Sequence, residues 1–191
     1  MKKGYTTRAL TIKFYRIAEG ELRAAHSIAK TAGAVEHRLV EIPSLKEAGD
    51  IGGGRFSGLP STYIPMRNAV FYTLAASYAE EVGANYILGG HNGDDLRIFE
   101  DTRREFFDSL QRAIWAGSSR LRKDRTTLLR PLQRMSKSEV VAFASRLKVP
   151  LGLTWSCHIE GTEHCWQCDG CRARVEAFEG AGVKDPLKRR I

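Results

Sequence analysis

The stretch Pro65-Met-Arg-Asn-Ala-Val-Phe-Tyr-Thr-Leu-Ala-Ala-Ser-Tyr-Ala-Glu-Glu-Val-Gly83-Ala-Asn-Tyr-Ile-Leu-Gly89-Gly-His-Asn-Gly-Asp-Asp95 carries the reading of the fold. Pro65 suits the start of a helix and Gly83 its stop, so a helix is expected from about Met66 to Val82. Asn85–Gly89 then reads as a short strand, followed by Gly89-Gly-His-Asn-Gly-Asp-Asp95. Glycines at the carboxyl end of a parallel strand let a ligand approach the backbone, and α/β sheets bind ligands at such ends. Gly90, His91, Asn92, Asp94 and Asp95 are therefore candidate ligand-binding residues. Asp94 and Asp95 suit holding magnesium or orienting a substrate; they suit equally a polar turn that caps the next helix. Arg67 and Asn68, in the first turn of the expected helix, point either into such a site or to solvent.

Outward from this stretch the alternation continues. Residues 9–15 alternate apolar and polar side chains as a strand does, and residues 19–32 place Leu22, Ala25, Ile28 and Ala29 at helical spacing before Gly33. Residues 36–42 form a second strand, ended by Pro43. Ser44 to Pro60 holds five glycines and reads as a loop. Its Gly52-Gly53-Gly54-Arg55 run does not sit between a strand and a helix start, which argues against a phosphate loop there. Further on are a helix over 101–116, a strand at Thr127–Arg130, and a helix opened by the capping box Ser136-Lys-Ser-Glu139 and ending before Pro150. A last helix runs from about Cys171 to Ala181. Strands alternating with helices predict an α/β fold with a parallel sheet covered on both faces. The organisation expected is an α/β domain over 1–150 and a metal-binding segment over 151–191 packed on it.

Composition is compatible with one domain. The chain has 191 residues, 42% hydrophobic and 27% charged, which excludes a disordered chain. No apolar run reaches the roughly 18 residues of a membrane helix, and no signal-peptide core follows Met1, so a cytoplasmic protein with reduced cysteines is expected. The net charge of +8 is unevenly spread: from Arg112 to Lys137 there are eight basic residues against Asp124 alone. Such a stretch is either a solvated face or a phosphate-binding wall for nucleotide, pyrophosphate or nucleic acid.

All four cysteines lie in Cys157-His-Ile-Glu-Gly-Thr-Glu-His-Cys165-Trp-Gln-Cys168-Asp-Gly-Cys171, spaced C-x7-C-x2-C-x2-C. Two residues between cysteines let both sulfurs face one centre across a tight turn, which Gly170 eases. Cys157, Cys165, Cys168 and Cys171 would satisfy tetrahedral zinc with no open position, a structural rather than catalytic arrangement. An iron–sulfur cluster, a redox pair and unliganded thiols are the competing readings. His158 and His164 are expected to be neighbours of the ion rather than ligands, since four thiols are available. The site's role would be to fold a loop-rich C-terminal segment that lacks a core of its own.

Together these residues resemble the 7-cyano-7-deazaguanine synthase family, of the PP-loop (N-type) ATP pyrophosphatases with their adenine nucleotide alpha hydrolase-like fold. The resemblance runs from about Gly4 to Leu187 and has an archaeal-like character. Its most specific part is Leu153-Thr-Trp-Ser-Cys157 with Cys165, Cys168 and Cys171, continuing through Arg172 and Glu176-Ala-Phe178 to Ala181-Gly-Val-Lys-Asp-Pro186. Tyr63-Ile-Pro-x-Arg67-Asn68, Asp101-x-Arg103-x-Glu105-Phe106 and Pro131-Leu132…Ser136-Lys137 also match. Gly90-His-Asn-x-Asp-Asp95 is shared with tRNA-thiolating relatives and identifies only the superfamily. The resemblance implies a ligase that adenylates 7-carboxy-7-deazaguanine with ATP and Mg2+, forms an amide with ammonia, and forms the nitrile after a second activation. The product serves queuosine or archaeosine in tRNA. The resemblance also implies structural zinc, a homodimer and no direct tRNA binding. It points to Asp101, Arg103 and Lys137 as nucleotide or substrate residues beside those named above, and Arg130 also suits stabilising phosphate charge.

One departure is plain. The family opens with a strand and a Ser-Gly-Gly-x-Asp-Ser loop that holds the ATP phosphates, and no such motif occurs in the 191 residues. The expectation is a sheet lacking its first strand and loop, roughly 30 residues of a βα unit, and poor ATP binding by the chain alone. Two other functions remain open at this point. One is an ATP-dependent tRNA thiolase, opposed by the lack of any cysteine outside 157–171. The other is a non-catalytic zinc module that binds nucleic acid through the basic stretch.

Overall fold

Parallel strands cannot be joined by a hairpin and need a crossover, and the chain begins with one. β1 (Arg8–Phe14) and β2 (Glu36–Ile42) run parallel, in register from Arg8 opposite Glu36 to Phe14 opposite Ile42, with α1 (Glu19–Thr31) between them. The structure, a computed structural model, describes residues 4–97 and 99–188. The glycine-rich loop after β2 contains one helical turn not expected from its composition, α2 (Ala48–Ile51). Gly52, Gly53 and Gly54, which follow it, are all exposed with positive φ.

The chain divides into two compact units, one of Met1–Tyr63 with Ser138–Ile191 and one of Ile64–Lys137. In the second, α3 (Arg67–Val82) precedes β3 (Tyr86–Leu88), and α4 (Arg104–Gly117) precedes β4 (Thr127–Leu129). β3 and β4 pair parallel, Tyr86 opposite Thr127 and Leu88 opposite Leu129. α4 starts three residues later than the pattern suggests, because 95–97 and 100–102 form single 3-10 turns. Mixed α/β structure with parallel strands is therefore what the chain adopts. Among the described residues those strands form two two-stranded sheets. No described helix is long and apolar enough to cross a membrane.

α3 buries Asn68, Tyr72, Ala76 and Ala79, a spacing of four, four and three that forms one helical face. It closes as predicted at Gly83, whose φ of 70° is a left-handed conformation that glycine adopts without steric cost. Arg120 staples that end: its Nη1 donates to the Ala84 carbonyl at 2.6 Å and to Thr126 Oγ1 at 3.2 Å, and its Nη2 donates to the Gly83 carbonyl at 3.3 Å. β4 is tied to α4 by Gln111, which donates to the Thr126 carbonyl and accepts from the Leu128 amide at 2.6 Å.

The chain returns to the first unit at Ser138: α5 (Lys137–Arg146), which starts directly after Ser136, leads to a 3-10 turn at Leu151–Leu153, the cysteine loop and α6 (Asp169–Gly180). α1 and the cysteine loop touch through Gly20 and Trp155. A Cβ on Gly20 would lie 2.4 Å from Trp155 Cε2, so only glycine leaves the ring its place. Arg23 Nη2 also donates to the Gly161 carbonyl at 3.1 Å. The end of the chain is held by a buried ion pair. Arg174 meets Asp185 with both Nε (2.6 Å) and Nη2 (2.8 Å), while Nη1 donates to Thr154 Oγ1 at 2.7 Å and Nη2 to the Leu151 carbonyl. The two side chains are 3% and 4% exposed. Burial by itself raises the Asp185 pKa, but hydrogen bonds from Arg174 and the Leu187 amide, with the Arg174 charge, carry it below the usual carboxylate range.

Gly20→Ala is expected to destabilise the protein by roughly 1–3 kcal/mol in denaturant unfolding through overpacking, although alanine is the better helix former. A variant as stable as wild type would show that Trp155 does not need that space. Asp185→Asn leaves Arg174 buried without its counter-charge and is expected to cost about 3–5 kcal/mol. The native Asp185 pKa is depressed, so its stabilisation is complete above the unfolded value of about 3.9 and fades as pH falls below it. Acid unfolding of wild type should accordingly be steeper below that pH than in Asp185→Asn, and equal slopes would refute the pairing.

Candidate metal centre and strand-end site

The cysteine loop is shaped from both sides. Cys168 caps α6 and Cys171 lies in its first turn, fully buried, while Cys157 is 2% exposed. Gly170 is required by close approach rather than by its torsions: a Cβ there would meet the Ser156 carbonyl oxygen at 2.0 Å. Trp166, between Cys165 and Cys168, takes a φ of 60°, strained for a non-glycine residue, to turn the C-x2-C knuckle.

The four ligand atoms lie within 4.8 Å of one another, with Cys165 Sγ 3.8 Å from Cys171 Sγ and Cys168 Sγ 3.9 Å from Cys157 Sγ. Four sulfurs at about 2.3 Å from a tetrahedral ion are separated by roughly 3.8 Å, so this donor set fits a metal. Main-chain amides supply the outer shell. Ile159 and Cys165 donate to Cys157 Sγ, Gln167 and Cys168 to Cys165 Sγ, and His158 to Cys168 Sγ, at 3.3–3.5 Å. The Gln167 and Cys168 amides pull the Cys165 thiol down to about 6. Burial pushes Cys171 up to about 12 and raises Cys157 as well. A cation is what allows such buried sulfurs to carry charge together.

The four-sulfur group includes neither histidine of this loop. His164 Nε2 accepts the Ser156 amide at 3.1 Å, and its ring packs against Trp155 and Trp166 at 4.4 and 5.3 Å. Burial lowers its pKa, helped by the Arg174 charge.

The second unit gathers most of the other candidate residues at the carboxyl ends of β3 and β4. Gly90 is exposed, with open space where a side chain would be. Asn92 Nδ2 donates to Asp95 Oδ2 at 2.9 Å, and Lys137 Nζ to Asp95 Oδ1 at 3.2 Å. Asp94 Oδ2 accepts the Lys137 amide at 2.9 Å, and the Gly93 amide reaches the Met135 carbonyl at 2.7 Å. The two aspartates thus tie the turn to Lys137, and Asp95 itself opens the 3-10 turn at 95–97.

Asn68 and Asp101 are joined by the Asn68 amide to Asp101 Oδ2 (3.2 Å) and by Asn68 Nδ2 to the Asp101 carbonyl (3.1 Å). Arg67 is half-buried and adds its charge near His91. Arg103 is the candidate left apart: it is exposed and paired with Glu100 at 2.6 Å.

Two residues beside His91, Tyr72 and Phe107, carry no sequence signal for a site, and they are joined there by Arg130, which the sequence marks for phosphate charge. Tyr72 and Phe107 meet edge to face at 4.9 Å, His91 lies 5.2 Å from Phe107, and the Arg130 guanidinium sits 4.3 Å above the Phe107 ring. Tyr72 follows Asn68 by four residues on the buried face of α3, which reads as ordinary core. Burial raises the Tyr72 hydroxyl to about 12, although Arg130 opposes it, and burial lowers His91 despite Asp95 and Asp101. Both are uncharged near neutral pH.

With this geometry, comparison with known proteins is direct. The family described as Queuosine biosynthesis protein QueC matches residues 1–182. The 7-cyano-7-deazaguanine synthase of Oceanobacillus iheyensis is 33% identical over 198 residues, 97% of this chain and 87% of the relative. The synthase of the same name from Legionella pneumophila (strain Philadelphia 1) is 35% identical over 206 residues, again 97% and 87% of the two chains. That of Thermoplasma volcanium, an archaeal relative, is 31% identical over 98% of this chain and 82% of its own.

One metal ion per chain is expected by elemental analysis, and Cys168→Ala should lose it. Stripping the ion with a chelator should also change tryptophan fluorescence, because Trp155 and Trp166 flank the loop. Metal-free protein with native fluorescence and unchanged thermal unfolding would refute the centre.

Proposed function

The chain belongs to the queuosine biosynthesis protein QueC family, and on that footing we propose that it makes 7-cyano-7-deazaguanine from 7-carboxy-7-deazaguanine, ammonia and ATP. The observation that carries this reading is the match along residues 1–182, with relatives of one name each spanning nearly the whole chain.

A carboxylate is a poor electrophile, and adenylation gives it a leaving group. The substrate carboxylate oxygen attacks the α-phosphorus of ATP and pyrophosphate departs. Ammonia then adds to the acyl carbon and AMP leaves, giving the amide with loss of a proton. A second ATP adenylates the amide oxygen with release of pyrophosphate and one N–H proton, and loss of AMP with the remaining N–H proton gives the nitrile. The protein's share is positioning and electrostatic stabilisation of the phosphate charge.

In this reading the exposed Gly90 backbone and His91 face the substrates, and Lys137 brings a cation to the strand ends. Its side chain is 40% exposed while paired with Asp95, so it can reach a ligand without leaving its turn. Asn92, Asp94 and Asp95 hold the turn in shape, with Asp94 and Asp95 as the carboxylates beside which Mg2+ would accompany ATP. Arg67, Asn68 and Asp101 form the neighbouring wall, and Arg103 lies at its rim. The metal of Cys157, Cys165, Cys168 and Cys171 is read as structural zinc, since four thiolates leave it no open position. The same reading carries a homodimer working in the cytoplasm on small molecules rather than on tRNA.

Deletion of the gene in its host tests the assignment without depending on any assay of the isolated chain. The deazapurine nucleosides of tRNA should disappear, return when 7-cyano-7-deazaguanine is fed, and stay absent when 7-carboxy-7-deazaguanine is fed. Loss of thiolated nucleosides with the deazapurines intact would instead support the thiolase reading and overturn this one.

A further inference from the structure

Arg130 follows β4 directly, as Gly89 and Gly90 follow β3, so it stands at the carboxyl end of a paired parallel strand. One face of its guanidinium is occupied by Phe107, a residue 1% exposed. Its Nη1 is buried and, among the described residues, has no hydrogen-bond partner. The carboxylate whose charge acts on it most is Asp108 of α4, and Asp108 is engaged by Arg104 Nε at 3.3 Å. A buried guanidinium N–H left unpaired is costly, so the position is a poor one unless something binds there.

The surroundings favour an anion. A Cβ at Gly89 would lie 1.6 Å from Tyr72 Oη, so the tyrosine is pressed against the Gly89 backbone and leaves Gly90 as the open approach. Tyr72 contributes no charge near neutral pH; around His91 the Arg67 and Arg130 cations stand against Asp95 and Asp101, but Asp95 is already paired with Lys137 and Asp101 accepts the Asn68 amide. A flat, permanently charged fork over an aromatic ring is suited to a carboxylate or phosphate, which takes two parallel N–H bonds.

We propose that Arg130 grips an anionic oxygen of a bound substrate, a carboxylate or a nucleotide phosphate, at the ends of β3 and β4. This rests on the deazaguanine synthase reading for the identity of the two anions, and not for the existence of the site. The unpaired Nη1 turns toward the ligand, and Phe107 fixes the plane of the guanidinium by stacking.

The test is equilibrium binding of ATP and of 7-carboxy-7-deazaguanine, each alone, to wild type, Arg130→Gln and Arg130→Lys. Arg130→Gln should weaken one anion at least tenfold and leave the other within twofold, which identifies the oxygen it holds. Arg130→Lys, which keeps the charge but not the fork, should weaken the same anion by a smaller factor. It carries the readout if circular dichroism shows Arg130→Gln unfolded. Both dissociation constants within twofold of wild type, or wild-type protein that binds neither anion, would overturn the proposal. The gene deletion separates this from the family reading: intact deazapurine nucleosides with weakened ATP binding would sink the reading and leave the arginine site standing.

Discussion

Four sulfurs brought within 4.8 Å of one another form the constraint on which the C-terminal part of the chain depends. Thiolates so close repel unless a cation sits among them, and buried thiols resist ionising without one. The chain has built for that cation. Gly170 clears the path of the Ser156 carbonyl, Trp166 accepts a left-handed backbone, and five main-chain amides point at sulfur. What lies around the centre is conventional packing: Trp155 on Gly20 and His164 between two indoles. The Arg174–Asp185 pair, one turn along α6 from Cys171, ties the Leu151–Thr154 turn to the same helix face.

The strand-end cluster of the second unit is organised differently, by hydrogen bonds among its own polar side chains. Its rigidity comes from short polar side chains satisfied by one another. Asn92, Asp94 and Asp95 make local bonds and then reach the start of α5, and Asn68 locks onto Asp101. A turn bonded to itself in this way limits the ordering that binding must impose. Arg130 is the exception in this lattice, because its Nη1 takes no part in it.

Charge distribution changes meaning once it is folded. The eight basic residues between Arg112 and Lys137 are not one face. Arg120 is spent on the end of α3, Arg130 lies over Phe107, Lys137 pairs with Asp95, and Arg112 donates to Ser109. Arg122, Lys123 and Arg134 remain exposed. A run of charge in sequence records how many cations are available, while the backbone decides how many face solvent.

Hydrophobic periodicity determined the order of elements: β1, α1, β2, α3 and β3 fall within two residues of where alternation and glycine stops place them. The cysteine spacing determined the four-sulfur cluster, because C-x2-C turns are local and their geometry does not wait for the rest of the fold. The motif after β3 located the candidate site for the same reason. Only tertiary structure decided what depends on distant segments. Arg174 and Asp185 are eleven residues apart and read as surface charges until the chain buries them together. Tyr72 and Phe107 read as core until Arg130, just after β4, covers the Phe107 ring and sets a cation near the Tyr72 hydroxyl. Gly20 looks like a weak point in a helix until Trp155, far along the chain, takes the place of its missing side chain. Local rules act over one turn or one strand, whereas ion pairing, stacking and close approach are set by which remote segments the fold brings into contact.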